Sequence, residues 1–239
     1  MIDAKMSFFG TYLAINEQVT LQNNDPVLNQ AAIRLGVSLR ETEDRLTSDM
    51  LASTAGFINC VGGFNGDVPT ELTRSDVDTA VTTLMAANAL SIMDQIEGAD
   101  KFGTGPIRRS FFGLTNVDMC GSRGLDGVQG FIHQANYPNN RNVLDSEWGS
   151  IGSVRYLVSA IAPTILNGSS GAQTVYQNFI IGMESYGIVS QDGYTSTFVY
   201  RPAIYSGPLA QNITVGWKAA LCPKLFNDQW LLNERCTLA

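Results

Sequence analysis

The run DPVLNQAAIRLGVSLRETEDRLTSDMLASTAGFINC, residues 25–60, decides how the rest of the chain is read. Leu28, Ala32, Leu35, Leu39, Leu46, Met50 and Phe57 recur at steps of three, four or seven and fall on one helical face. Asp25 can accept from the free amides of a first turn, and Pro26 brings a preset φ where its missing amide costs nothing. On the opposite face Arg40 pairs with Asp44, Glu41 with Arg45, and Arg45 with Asp49, each four residues apart. The spacing therefore predicts a rod of roughly 45–50 Å with an oily seam and a wet face, far longer than the usual globular helix. Two kinds of protein use such a rod: an ordinary domain with a long core helix, and a flat or extended subunit.

Length and composition narrow the choice. With 239 residues, 44% of them hydrophobic and 15% charged, the chain can bury one large core or two joined ones. Its net charge of −7 argues against a general grip on phosphate backbones, which needs clustered Lys and Arg. Cys60, Cys120, Cys222 and Cys236 are far apart and form no Cys-x-x-Cys pair, so they read as free thiols of a reducing compartment. No apolar run approaches the ~20 residues that span a bilayer, and Met1 opens no signal-peptide pattern. The expectation is a soluble protein made in the cytosol, with no membrane partner.

Ahead of the rod, Phe9, Leu13, Ile15, Val19 and Leu21 alternate with Tyr12, Asn16, Gln18 and Thr20, which predicts a strand over 9–21 that either pairs with a distant segment or has lost a mate from a missing amino terminus. Behind the rod, Gly62, Gly63, Gly66 and Pro69 mark a turn. Ser75 with Asp78 reads as the start of a helix carrying Val77, Val81, Leu84 and Asn88 and ending near Met93. A strand is expected over Arg109–Leu114, then a short turn capped by Thr115 and running through Cys120. The Gly-, Asn- and Asp-dense span 121–152 reads as long surface loops with one short helix. Val154–Ile161 and Val175–Ile181 read as strands, and Gly182–Gly187 turns the chain into Ile188 and Val189. Ile213, Val215, Trp217, Ala219 and Leu221 give a further strand one apolar face, stopped by Pro223, with Trp217 as a core anchor, and Trp230–Leu232 is the last element. The class is α+β.

Chemistry is hard to find. His133 is the only histidine and lies in a loop, so a thiol or serine hydrolase would have to combine it with Cys120 or Ser122. Gly182–Gly187 fails as a nucleophile elbow, because Ser185 lacks a glycine two residues on each side. Gly98–Gly105 contains Lys101 but no phosphate-loop ending, and Gly121–Gly130 opens no long helix. Asp118, Asp126, Asp145 and Glu147 have no spacing that demands a shared site and read as solvated loop carboxylates. No catalytic, cofactor-binding or metal-binding residue is expected. Twenty-three Gly, eight Pro, long polar loops and an overlong rod instead suit a subunit whose working surface meets copies of itself.

Four segments taken together resemble a known family. They are Asp25–Leu28 leading into the helix with Gly36, Glu41, Thr42 and Arg45; Gly149, Ile151, Gly152, Val154 and Arg155; Ile181–Val189; and Gly207, Pro208 and Leu209 followed by Val215–Ala220. In this order they are similar to the major capsid proteins of tailed bacteriophages, in particular the podophage-type branch. The resemblance implies the Hong Kong-type capsid fold with a spine helix, a peripheral domain and an axial domain. Residues 1–22 would hold the returning strand of an extended loop, 23–62 and 196–225 the peripheral domain, and 63–195 and 226–239 the axial domain. Family members carry an amino-terminal arm and an outgoing loop strand before this point, which the resemblance implies lie outside this sequence. It further implies a structural subunit of the virion capsid, assembled in the bacterial host cytoplasm as hexamers and pentamers around DNA that it does not bind tightly. Scaffolding, portal and decoration proteins are the implied further partners. An encapsulin-type nanocompartment shell is the nearest alternative, and the hydrolase a remote one.

Overall fold

A computed structural model describes residues 3–22, 27–53, 56–60, 68–92, 110–137, 143–144, 146–166, 174–190, 196–203 and 209–238. Asp25, Pro26, Met93, Arg109, Asp145, Gly207 and Pro208 lie outside these, as do the glycine-rich stretches 61–67 and 98–106. In chain order come β1 (Ser7–Asn16), α1 (Glu17–Gln22), α2 (Val27–Ala52) and β2 (Phe57–Asn59). Next are α3 (Arg74–Ala86), β3 (Phe111–Asn116), β4 (Phe131–His133), β5 (Glu147–Ile151) and β6 (Val154–Ser159). The order closes with β7 (Thr164–Leu166), β8 (Thr174–Ile181), β9 (Tyr186–Ser190), β10 (Thr197–Arg201), β11 (Asn212–Leu225) and β12 (Leu231–Cys236). They fall into two compact units, Met1–Thr47 with Gly187–Lys224, and Ser48–Tyr186 with Leu225–Ala239.

In the first unit β11 lies between β1 and β10, antiparallel to both, and β9 also pairs with it. The expected alternation is observed: Ile213, Val215, Trp217, Ala219 and Leu221 are buried and pack with Leu35 and Leu39 of α2. Pro223 does not stop the strand, which runs on to Leu225, past the last β1 pair at Leu221. The distant partner of β1 is β11, matched over all ten residues from Ser7 opposite Leu221 to Asn16 opposite Asn212. The opening strand is shorter than expected. At its end Asn16 Oδ1 accepts from the Gln18 amide at 3.0 Å and starts α1, which takes Val19 and Leu21 out of the sheet pattern.

The rod is also shorter than expected. α2 stops at Ala52 after 26 residues, ~39 Å, where the Ser53 amide bonds back to Asp49 and Met50. Phe57, expected on its seam, belongs to β2 instead. The buried seam of the amino-terminal half is Ala31, Leu35 and Leu39 with half-buried Leu28, whereas Ala32 is exposed, since steps of three, four and four follow the 3.6-residue period more closely. Among the described residues the ion pair on α2 is Arg40–Glu43 at 4.0 Å, not one of the expected four-residue pairs.

The second unit is built on an eight-stranded sheet in the order β2-β12-β8-β3-β6-β5-β4, with β7 also on β8. β12 runs parallel to β2 and antiparallel to β8, and β3 runs parallel to β6. α3 starts at Thr73, not Ser75, in a capping box whose Asp76 carboxylate accepts from the Thr73 amide at 3.0 Å. It ends at Ala86, well before Met93. Asn88 then sits at φ 55, off the helix whose buried face is Val77, Ala80, Val81 and Leu84. Asn116, not Thr115, caps the next turn by accepting from the Asp118 amide, while the Thr115 hydroxyl donates to Asn178 at 2.6 Å. The span 121–152 is far from a surface loop: Leu125, Val128, Tyr137, Glu147 and Ile151 are buried, and β4 and β5 form within it. Its glycines make this compactness possible, for a Cβ on Gly124 would strike the Met119 carbonyl and one on Gly127 the Ser122 carbonyl.

Candidate functional site

The residues that could have formed a hydrolytic site are not assembled into one. His133 Nδ1 accepts from the Ala135 amide at 3.2 Å, and the ring stands edge-on to Trp148 and Phe131 with centroids 4.9 Å and 6.4 Å away. A nitrogen held by its own backbone turn cannot serve as a ready base. Among the described residues no hydrogen bond joins His133 to Cys120 or Ser122. Burial, with Asp126 and Asp118 nearby, pushes the Cys120 thiol up, the opposite of an activated nucleophile. Cys60, Cys120, Cys222 and Cys236 are free thiols.

The loop carboxylates go separate ways. Asp118 accepts from the Tyr176 hydroxyl at 3.3 Å and Asp126 from Trp148 Nε1 at 2.7 Å. Glu147 overturns the expectation of a solvated face: it is buried in β5 and takes Arg155 Nε at 2.8 Å, the Tyr137 hydroxyl at 3.1 Å and the Leu144 amide at 3.2 Å. Burial pushes the Tyr137 phenol up to about 12. Among the described residues no group of three or more His, Cys, Asp or Glu is placed to hold a metal, and no helix is long and apolar enough to cross a membrane.

A second buried acid went unread in the sequence. Glu234 of β12 is fully enclosed, and among the described residues neither carboxylate oxygen has a hydrogen-bond partner. Burial, reinforced by Asp76, pushes it up to about 8, so the native side chain is a neutral acid at pH 7. Around it lie Cys60, Cys236 and the Tyr156 hydroxyl, which is itself buried without a partner. Asn178 donates to Cys236 Sγ at 3.2 Å, and Asn233 donates to Gln177 at 2.7 Å. No periodicity marks these residues, because their burial is created by strands from distant parts of the chain.

Two clefts of the second unit hold neither His nor Cys. One, about 420 Å³, opens at the start of α3 beside Thr73, Arg74, Ser122 and Arg123. There Arg74 is already engaged: both Asp78 oxygens accept from its Nε at 3.0 Å, and its guanidinium lies against Gly130 and Gly152, which have φ of 82 and 58. The other cleft, about 360 Å³, is mainly apolar, with Phe112, Leu114, Leu157 and Met183 among its walls.

What the molecule does present is exposed apolar surface on the first unit's sheet. Phe8 and Tyr12 are each 73% exposed, and Phe198, Tyr200 and Ile188 are exposed as well. β1 lies at the sheet edge and among the described strands pairs only with β11. Among the described residues this edge is open beside aromatic side chains, a chemistry suited to an interface.

No protein-family description matches the sequence, and no curated protein matches it. The fold does match. It is an α+β capsid fold, as the resemblance implied. The head structure of Helicobacter pylori bacteriophage KHP40 aligns with a TM-score of 0.69 over 99% of this chain and 75% of that one, at 8% identity. The capsid of Ralstonia phage GP4 aligns with a TM-score of 0.70 over 99% and 74%, at 11% identity. The holo-SrpI encapsulin complex from Synechococcus elongatus aligns with a TM-score of 0.58 over 96% and 73%, at 11% identity.

Proposed function

We propose that this chain is the structural subunit of an icosahedral bacteriophage capsid, a non-enzymatic protein that assembles with copies of itself into hexamers and pentamers enclosing DNA. The observation that carries the reading is the likeness to phage heads along 99% of the chain, and the uncovered sheet supports it. On this reading the protein resides in the virion capsid, is assembled in the bacterial host cytoplasm, and meets scaffolding, portal and decoration proteins. Residues 1–22 contain the returning strand of an extended loop, with 23–62 and 196–225 a peripheral domain, and 63–195 with 226–239 an axial domain. The two compact units, divided at Thr47, Tyr186 and Lys224, support such a two-part subunit. Many neighbours make each contact modest, and multivalency turns modest contacts into a stable wall. A net charge of −7 suits a container that must let DNA in and out.

Electron microscopy of the purified protein tests the proposal: closed particles or hexameric and pentameric rings are expected, and a monodisperse monomer at every concentration would refute it. An encapsulin-type shell is the second reading, favoured by the likeness to the SrpI complex, though at the lower TM-score of 0.58. Mass spectrometry of particles purified from infected and uninfected cells separates the two, because a nanocompartment holds a protein cargo and a capsid holds a genome.

A further inference from the structure

Charge is unevenly distributed along the chain. The unit of Met1–Thr47 and Gly187–Lys224 has seven acidic and seven basic residues, whereas that of Ser48–Tyr186 and Leu225–Ala239 has fifteen acidic and eight basic, so the second carries the whole net charge of −7. The four strands of the first unit's sheet contain Arg201, Lys218 and Lys224 and no Asp or Glu. Register sorts these strands into two faces. Odd-numbered residues of β11 face α2, and the even-numbered ones share the other face with the residues opposite them: Tyr12 and Val199 opposite Gly216, Gly10 opposite Lys218, and Arg201 opposite Thr214. Tyr12 lies across Gly216, where an added Cβ would come within 2.9 Å of the Tyr12 Cβ. The outer face is thus a shallow trough at Gly10 and Gly216, with an aromatic ring 73% exposed and the exposed cations Lys218 and Arg201 beside it.

We infer that this outer sheet face is a docking surface for a second copy of the chain, seated against the acid-rich unit of that copy. The inference rests on the shell reading and says which surfaces meet. Copies with a charge of −7 repel one another at long range, so a patch of opposite sign steers and favours contact, and the acid-free sheet offers one. Among the described residues, exposed carboxylates of the acid-rich unit include Asp49, Glu71, Asp118, Asp126 and Glu184. Tyr12 supplies the apolar anchor at the centre, and the cations fix orientation at the rim.

The test compares the full chain with Arg201→Glu/Lys218→Glu and with Tyr12→Ser, by sedimentation velocity and electron microscopy at low and high salt. The double reversal is expected to raise the concentration for half-assembly about tenfold or more and Tyr12→Ser several-fold, with melting temperatures unchanged and with high salt weakening wild-type assembly. Should the double variant melt early, Tyr12→Ser alone decides. Wild-type particles matched by equally competent variants would overturn the docking surface and leave the shell reading standing. A wild-type chain that never self-associates would end both. Binding of a labelled single-stranded oligodeoxynucleotide, lost in the double variant while assembly is unchanged, would assign the face to nucleic acid and overturn the inference.

Discussion

The two sheets of this protein differ in what they bury. Beneath the four-stranded sheet the cluster is apolar, with Ile213, Val215, Trp217, Ala219 and Leu221 against Leu35 and Leu39, and among the described residues Trp217 Nε1 is buried there without a hydrogen-bond partner. The eight-stranded sheet encloses Glu147, Arg155, Gln177, Asn178, Asn233 and Glu234 among its hydrophobic residues. The first is held by area removed from water, which tolerates exchange of one apolar group for another of similar volume. The second depends on polar partners in register, and removing one leaves the other exposed to the full cost of its desolvation. Sequence drift should therefore be easier in the first interior than in the second.

The largest effect expected from breaking this contrast is at Leu39. Leu39→Asp puts a charge into the apolar cluster and should cost more than about 4 kcal/mol, leaving no soluble folded subunit; normal yield and normal urea unfolding would move the seam of α2 elsewhere. Next comes Arg155→Met, which strands Glu147 in the interior and should cost ~3–5 kcal/mol in chemical denaturation, with Glu147→Gln added to it recovering part of the loss. A loss below ~1 kcal/mol would mean that water reaches this pair.

Glu234 sharpens the comparison through pH. Its carboxyl is raised from 4.5 to about 8, so the folded state keeps a proton that the unfolded chain releases. The stabilisation is complete below the unfolded value and is lost as pH climbs through about 8. Relative to wild type, Glu234→Gln should gain ~3–5 kcal/mol between acidic conditions and pH 9. Parallel stability curves for the two proteins would show that the carboxyl titrates normally. The smallest effect belongs to Tyr12→Ser, which should change the stability of the isolated subunit by less than ~0.5 kcal/mol, because an exposed ring contributes little to folding.

The elements most legible in the sequence were those whose burial is local. The period of two in β11 and of 3.6 in α2 survive because one neighbouring surface covers each of these stretches. The end of α2 was missed because Phe57 continues the helical count past Ala52, while its actual position is set by β12, some 170 residues away, whose Asn233 lies opposite it. Asn16 before Glu17 and Gln18 is an ordinary helix-opening signal, concealed by the continuing alternation of Val19 and Leu21. Glu147 and Glu234 look like surface charge in any window of sequence, since only long-range pairing encloses them. His133, read as a loop residue, closes β4 instead, a three-residue strand whose place is set by its pairing with β5.

The position of β12 has a consequence for synthesis. Leu231–Cys236 is inserted between β2, translated long before it, and β8, so the larger sheet cannot close until these residues have left the ribosome. Nascent chains would then keep the larger sheet open until β12 emerges, depending on slow, distant pairing to complete it. A chain cut before Leu231 lacks the strand that joins the two sides of this sheet.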